Sequence, residues 1–222
     1  MKEGYTHIGV VLDRSGSMQS CLSDTIGGFN SFLSSQKEVD GDATITLVQF
    51  DDKYEVVCEM TPLKEAEGLN SRTFVPRGST ALLDAIGRTM NDTEHAISEI
   101  EEADKPEKVI FVIITDGGEN ASKEFKRDSI MEMIERHRKE DNWEVVFIGA
   151  NQDAIKAGGS IGVRAGASYD YDQSSRGTQV MYSCLTQSMS SYRSRSADEA
   201  MDADFFTQED REEQNEIINK KN

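Results

Sequence analysis

The sequence is poor in cysteine, with only three among its 222 residues, at positions 21, 58 and 184. The number is odd, the spacing is wide, and no CxxC or Cys/His ligand pattern occurs. A disulfide framework and a zinc scaffold are therefore not expected. Cys21 is expected in the first turn of a helix, where a thiol pKa is lowered. A buried, inert thiol is nevertheless the favoured interpretation.

Long apolar runs and clusters of basic residues are also missing. No stretch of about 20 apolar residues occurs, and no charged-then-apolar leader precedes the first predicted strand. The 24 basic residues are scattered among 41 acidic ones, which gives a formal net charge of -17. This charge argues against electrostatic binding to nucleic acid or to an anionic membrane. We therefore expect a soluble, cytoplasmic protein with neither nucleic acid nor membrane as a partner.

Two apolar runs each end in a carboxylate. Ile8–Leu12 leads into Asp13, and Val109–Thr115 leads into Asp116. Continuous apolar runs of this kind are typical of buried parallel strands. In an open α/β sheet, ligands bind outside the carboxyl ends of the strands, where the strand order reverses. The two aspartates are therefore expected to converge on one point.

Hydroxyl side chains accompany the two carboxylates. Ser15 and Ser17 follow Asp13 at alternate positions in a turn that contains Gly16, and Thr80 precedes the helical pattern ALLDAIGRTM. Hard oxygen donors at this spacing suit Mg2+ or Mn2+ better than zinc, which prefers nitrogen and sulfur. Asp and Ser are also ordinary turn and helix N-cap residues. The loop alone therefore does not distinguish a metal site from a turn.

Strands and helices alternate along the rest of the chain. Further strands are predicted at 43–50, 54–60, 143–149 and 165–171, and helices at about 20–35, 83–100, 152–157 and 174–193, with another behind Ser122 as its N-cap. A short link joins 43–50 to 54–60, so these two strands should form an antiparallel hairpin at the sheet edge. The alternation predicts an α/β fold. Its doubly wound, mostly parallel six-stranded sheet has one antiparallel edge strand and helices on both faces.

These segments resemble a known family over about Tyr5 to Ile148. The DxSxS loop, the GxT threonine and the TDG segment occur in the order of the von Willebrand factor type A (VWA) domain, which has a Rossmann-like fold. The segments DRSGSM, TDGGEN and GANQDA are similar to the single-domain VWA proteins of bacteria and their phages. The resemblance implies a metal-ion-dependent adhesion site (MIDAS) with no position missing. Its residues would be Asp13, Ser15, Ser17, Thr80 and Asp116.

In this family, a Glu or Asp of a protein ligand completes the coordination of the bound cation. The resemblance therefore implies a Mg2+ (or Mn2+) dependent protein-binding module, whose unidentified partner supplies an acidic residue. Three alternatives stay open. The metal can merely tie three loops together, the chain can be a subunit of an AAA+ ATPase-associated assembly, or it can be a metal-dependent phosphatase or phosphotransferase. An enzyme is not expected, because Ser15 has no identifiable base.

Residues 198–222 differ in composition from the VWA-like part, 1–197. They contain nine acidic and three basic residues, and Phe205 and Phe206 are among their few large apolar groups. One interpretation is a solvated, partly disordered tail. The other is a docking segment anchored by the two phenylalanines. A tail carboxylate that occupies the metal of a second copy would give self-association.

Overall fold

The computed structural model describes residues 1–150 and 153–219. The strands are β1 (Lys2–Asp13), β2 (Ala43–Phe50), β3 (Tyr54–Pro62), β4 (Pro106–Thr115), β5 (Trp143–Ala150) and β6 (Ser168–Tyr171). The helices are α1 (Leu22–Lys37), α2 (Leu82–Ser98), α3 (Arg127–Glu140), α4 (Ala154–Gly159), α5 (Ser175–Ser194), α6 (Ala197–Asp202) and α7 (Gln208–Asn219). No helix in this part of the chain is both long and apolar enough to cross a membrane.

The six strands form one sheet in the order β3-β2-β1-β4-β5-β6. Neighbouring strands are parallel except for the antiparallel β2–β3 pair at one edge. This architecture confirms the predicted α/β class. The chain winds outward from β1 through β2 to β3 and then continues on the other side of β1 with β4. The strand order therefore reverses between β1 and β4, whose carboxyl ends carry Asp13 and Asp116.

The helices cover both faces of the sheet. The Lys108 side chain of β4 contacts the carboxyl end of α5. Trp143 lies opposite Val109, the next residue of β4, and its ring stacks on His137 of α3 with centroids 3.9 Å apart. Because successive side chains of a strand point to opposite faces, α5 and α3 lie on different sides. Helix α1 packs with α5, and α2 packs with α3.

Several element boundaries differ from the predicted ones. Ser122 was expected to cap a helix, but α3 begins at Arg127 after Lys126, which makes no side-chain cap. The backbone N–H groups of residues 123–125 donate instead to the Asp84 carboxylate of α2, and these long-range bonds hold the segment outside the helix. The predicted strand 165–171 is limited to β6 because its first three residues form a 3-10 turn. In the predicted helix 152–157, Gln152 lies outside the described residues.

The described part of 198–222 is helical and packs on the domain. Phe205 and Phe206 are buried, and the Phe206 ring lies 4.7 Å from that of Tyr169 in β6. The Arg211 guanidinium donates to the carbonyl of Ser168, so α7 covers the β6 edge of the sheet. At the opposite edge, Val56 of β3 is 45% exposed. The predicted division between 1–197 and 198–222 stays a prediction.

Candidate metal centre

Asp13 is the last residue of β1, and its carboxylate is held from both sides. Its Oδ1 accepts a hydrogen bond from the backbone N–H of Ser15 at 2.6 Å. Its Oδ2 accepts one from the Thr115 hydroxyl at the end of β4, also at 2.6 Å. The Asp13 side chain is fully buried. Asp13 thus joins the carboxyl ends of the two central strands, β1 and β4.

Asp116 joins the serines of the DxSxS loop. The Ser17 hydroxyl donates to Asp116 Oδ1 at 2.6 Å and lies 3.1 Å from the Ser15 hydroxyl. The other oxygen, Oδ2, accepts a hydrogen bond from the side-chain amide of Gln173, which follows β6. Hydrogen bonds therefore join four predicted site residues at the carboxyl edge of the sheet.

Thr80 reaches the same edge from the segment between β3 and α2. Its backbone N–H donates to Asn120 Oδ1 at 2.9 Å, and its carbonyl accepts from the Asn120 N–H at 3.1 Å. A Cβ placed on Gly117 would lie 3.5 Å from the Thr80 hydroxyl and 3.9 Å from the Ser17 hydroxyl. Both hydroxyls therefore face the glycine that follows Asp116. The glycine places no side chain against these two oxygen atoms.

An ion-pair cluster around the buried Asp51 fixes the segment that carries Thr80. Asp51 Oδ2 accepts from Arg14 Nε at 3.0 Å and from Arg77 Nε at 2.9 Å, and the carbonyl of Asp51 accepts from the Ala81 N–H. Burial acts to raise the pKa of Asp51, but the hydrogen bonds and the arginine charges lower it below its usual value. Since Arg14 directly follows Asp13, one cluster aligns the DxSxS loop with the threonine segment.

The electrostatics of the centre favour a bound cation. Burial raises the pKa of Asp13 to about 6, against the opposing hydrogen bonds from Thr115 and Ser15. Burial also raises the pKa of Asp116. Two carboxylates in a poorly solvated site repel each other, and a positive charge stabilises their ionised forms. A divalent cation would supply that charge.

The donor set fits Mg2+ or Mn2+. It consists of carboxylate and hydroxyl oxygens, which are hard ligands, whereas zinc sites use mainly nitrogen and sulfur. In the described ranges, no three His, Cys, Asp or Glu side chains cluster in a way that could hold a metal. Cys21 lies near the centre but is buried, and burial raises the pKa of its thiol. The structure thus brings the five predicted residues together, while their role as metal ligands stays a prediction.

Several residues of the centre escape the sequence analysis. Thr115 was predicted only as the end of a strand, yet its hydroxyl holds Asp13. Asn120 and Arg14 stand inside the motifs TDGGEN and DRSGSM, but no local pattern reveals their partners. Gln173 belongs to a weakly patterned region, and only the folded structure brings it to Asp116.

The described chain is similar to several solved structures. A structure of proximal thread matrix protein 1 from the mussel byssus, with a zinc-occupied MIDAS motif, aligns with a TM-score of 0.56 and 16% identity over 84% of this chain and 46% of that one. The vWF domain of the type V pili tip protein Mfa5 from Porphyromonas gingivalis gives 0.59 and 10% over 86% and 96%. The pilus adhesin SpaC from Lactobacillus rhamnosus GG gives 0.58 and 13% over 86% and 30%.

Protein-family models and curated protein sequences give no match. At the identities above, the structural similarity establishes the fold alone. The chain spans less than half the length of the mussel protein, of which the alignment covers 46%. The protein therefore has the fold of a VWA domain, with hydroxyl and carboxylate side chains gathered at the carboxyl edge of its sheet.

Proposed function

We propose that the protein is a Mg2+ (or Mn2+) dependent protein-binding module. Asp13, Ser15, Ser17, Thr80 and Asp116 would hold the cation, which would accept a Glu or Asp carboxylate from a partner protein. The observation that carries the proposal is the convergence of these side chains at one edge of the sheet, with the Ser17 hydroxyl between Ser15 and Asp116. The similarity to a structure with a zinc-occupied MIDAS motif supports divalent-metal binding.

The chemistry of the donor set suits recognition of an external carboxylate. Only two of the five side chains carry a formal charge, so a bound cation would keep strong attraction for another anion. Mg2+ favours six near-octahedral ligands and usually retains waters that a new ligand can replace. Gly16 and Ser17 are exposed, whereas Asp13 is buried. The site is therefore anchored in the protein interior at Asp13 and open to solvent at Gly16 and Ser17.

The first test is binding of the metal itself. Titration calorimetry of the full chain with MgCl2 should give saturable binding, which Asp13→Ala abolishes. Mg2+ should also raise the melting temperature of the wild type, because a ligand that binds only the folded state stabilises it. The exposed Asp40→Ala is the control and should behave as wild type. Identical titrations for wild type and Asp13→Ala would contradict the site.

The second test concerns the partner. Immobilised wild type and Asp13→Ala are incubated with lysate of the source cells in Mg2+ and in EDTA. The proposal expects a protein retained only by wild type with Mg2+, and loss of its retention when one of its acidic residues is changed to the amide. Retention of the same proteins under all four conditions would leave the metal a structural role and contradict the adhesion mechanism.

An enzymatic function has no support from the positions of the histidines. His7 lies in β1 six residues before Asp13, which corresponds to roughly 20 Å along an extended strand. His137 bonds to Asp141 at the end of α3. We therefore propose a module that is not an enzyme. Phosphatase turnover lost in Asp13→Asn would contradict this part. The cytoplasmic location and the bacterial or phage origin belong to the same proposal, and the AAA+ assembly stays an alternative.

A further inference from the structure

The two aspartates of the centre are held in the same way. Each carboxylate accepts one hydrogen bond from a serine of the DxSxS loop and one from a side chain of a more distant segment. For Asp13 the distant donor is Thr115, and for Asp116 it is Gln173. Three polar segments form the rest of the centre: one follows β1, one precedes α2 and one follows β4. Gln173 adds a fourth, between β6 and α5.

The turn that carries Gln173 is built from specific contacts. The Ser174 N–H donates to Asp172 Oδ1 at 2.9 Å, and the Ser174 hydroxyl accepts from the Gly177 N–H at 3.3 Å as the N-cap of α5. A Cβ at Gly177 would collide with the carbonyl of Asp172, so this position requires glycine. The Ser175 hydroxyl donates to the first turn of α1 at 2.7 Å. The backbone that presents Gln173 is therefore fixed on both sides.

The amide of Gln173 is surrounded by acceptors. Besides Asp116 Oδ2, its Nε2 lies 3.4 Å from the carbonyl of Ser17 and 3.6 Å from the sulfur of Cys21. These neighbours identify the group that faces Asp116 as the N–H donor of the amide. Ser17 holds the first oxygen of Asp116 and Gln173 holds the second, so the carboxylate cannot rotate without breaking one of the two bonds.

We propose that Gln173 is a positioning residue of the metal centre, which orients the Asp116 carboxylate toward the cation. The inference rests on the proposed function, because it assumes that the five-residue centre binds a divalent metal. Hydrogen-bond partners of metal-binding carboxylates typically change metal affinity by 10–100-fold when they are removed. The sequence analysis assigns Gln173 no role.

The test measures Mg2+ affinity of the full chain by calorimetry with the metal alone. Gln173→Met keeps the length of the side chain but removes the donor, and we expect it to bind Mg2+ about tenfold more weakly than wild type. Gln179→Met is the matched control, because Gln179 is exposed on α5 and bonds only to Ser175 in the described structure. It should bind Mg2+ as wild type does. Melting in EDTA shows that both variants fold.

A second variant tests whether the Gln173 side chain lies beside the bound cation. Gln173→Lys keeps an N–H donor for Asp116 but places a positive charge beside the cation. We expect it to melt in EDTA at or above the wild-type temperature and to bind Mg2+ more weakly than Gln173→Met. Wild-type affinity in the folded Met or Lys variant would overturn the role of Gln173 alone. Absence of Mg2+ binding by wild type would overturn this inference and the proposed function together.

Discussion

Buried polar side chains lie at both ends of the central strands. At the carboxyl end are Asp13 and Asp116, and at the amino end are His7 and Lys108. The Lys108 ammonium donates to the carbonyl of Arg193 at 2.8 Å and closes the carboxyl end of α5. His7 Nδ1 lies 2.9 Å from the Thr44 hydroxyl, while its Nε2 has no hydrogen-bond partner in the described structure.

The burial of His7 predicts loss of stability in mild acid. Burial lowers the pKa of His7 to about 3 from its usual value of 6.5, so the folded state binds fewer protons than the unfolded chain between these values. His7 therefore contributes its full stability above pH 6.5 and loses it as the pH falls toward 3. The slope is roughly 1.4 kcal/mol per pH unit.

Urea unfolding at pH 7 and pH 5 measures this contribution. Between pH 7 and pH 5, the free energy of unfolding of wild type should fall by about 2 kcal/mol more than that of His7→Leu. His95→Gln removes an exposed histidine and should retain the wild-type difference. An equal loss of stability in His7→Leu and wild type would show that His7 does not stay neutral in the folded protein.

At the scale of elements, hydrogen bonds to α2 hold the loop before α3. The Asp84 carboxylate accepts from the N–H groups of Lys123 at 2.8 Å, Glu124 at 2.9 Å and Phe125 at 2.9 Å. In return, the Leu83 N–H at the start of α2 donates to Glu119 Oε2 at 3.0 Å. The reciprocal bonds tie the TDGGEN loop, which follows Asp116, to the helix that follows Thr80.

Removal of the Asp84 carboxylate should therefore destabilise the domain. Burial acts to raise the pKa of Asp84, but hydrogen bonds from the three backbone N–H groups lower it below its usual value. The stability that Asp84 contributes is therefore complete above the usual pKa and is lost as the pH falls through the pKa of the folded state. Asp84→Ala should cost about 1–3 kcal/mol at pH 7 by chemical denaturation. Asp40→Ala is the exposed control. No difference between these two variants would mean that solvent replaces the three bonds.

The extent to which the elements follow from the sequence depends on where their partners lie. The central strands are continuous apolar runs, so β2, β4 and β5 are predictable from local pattern alone. The convergence of Asp13 and Asp116 is predictable because each follows the carboxyl end of such a strand. Ser122 fails as an N-cap because its partners, the Glu119 carboxylate and the N–H of Asp84, compete with helix formation. Gln173 cannot be found locally, because a glutamine before a helix has no distinctive signature.

At the scale of the whole molecule, the acidic C-terminal segment is packed despite its composition. Its acidic residues are mainly exposed, while Phe205 and Phe206 are turned inward and their rings meet edge to face at 5.0 Å. The Phe206 N–H donates to the carbonyl of Gly166 at 3.0 Å, and the Tyr169 hydroxyl donates to the carbonyl of Asp210 at 2.9 Å. Apolar anchoring thus outweighs the repulsion among the charges.

We predict that Phe206→Ala destabilises the whole domain. The side chain is 1% exposed, and truncation of a buried Phe typically costs about 3–5 kcal/mol. Thermal and urea unfolding should both show this loss, while Glu212→Ala on the exposed side of α7 should change stability by less than about 0.5 kcal/mol. Wild-type stability in Phe206→Ala would support a solvated tail that contributes nothing to the fold.

The coverage of β6 by α7 makes the two margins of the sheet unequal. Strand edges with free backbone groups recruit further strands, and proteins with two such margins can extend into open-ended fibres. In the described structure, α7 shields the β6 margin, whereas β3 is the outermost strand at the other. Any copies that join edge to edge at β3 would therefore form a closed pair, and α7 would hinder further addition at the β6 margin.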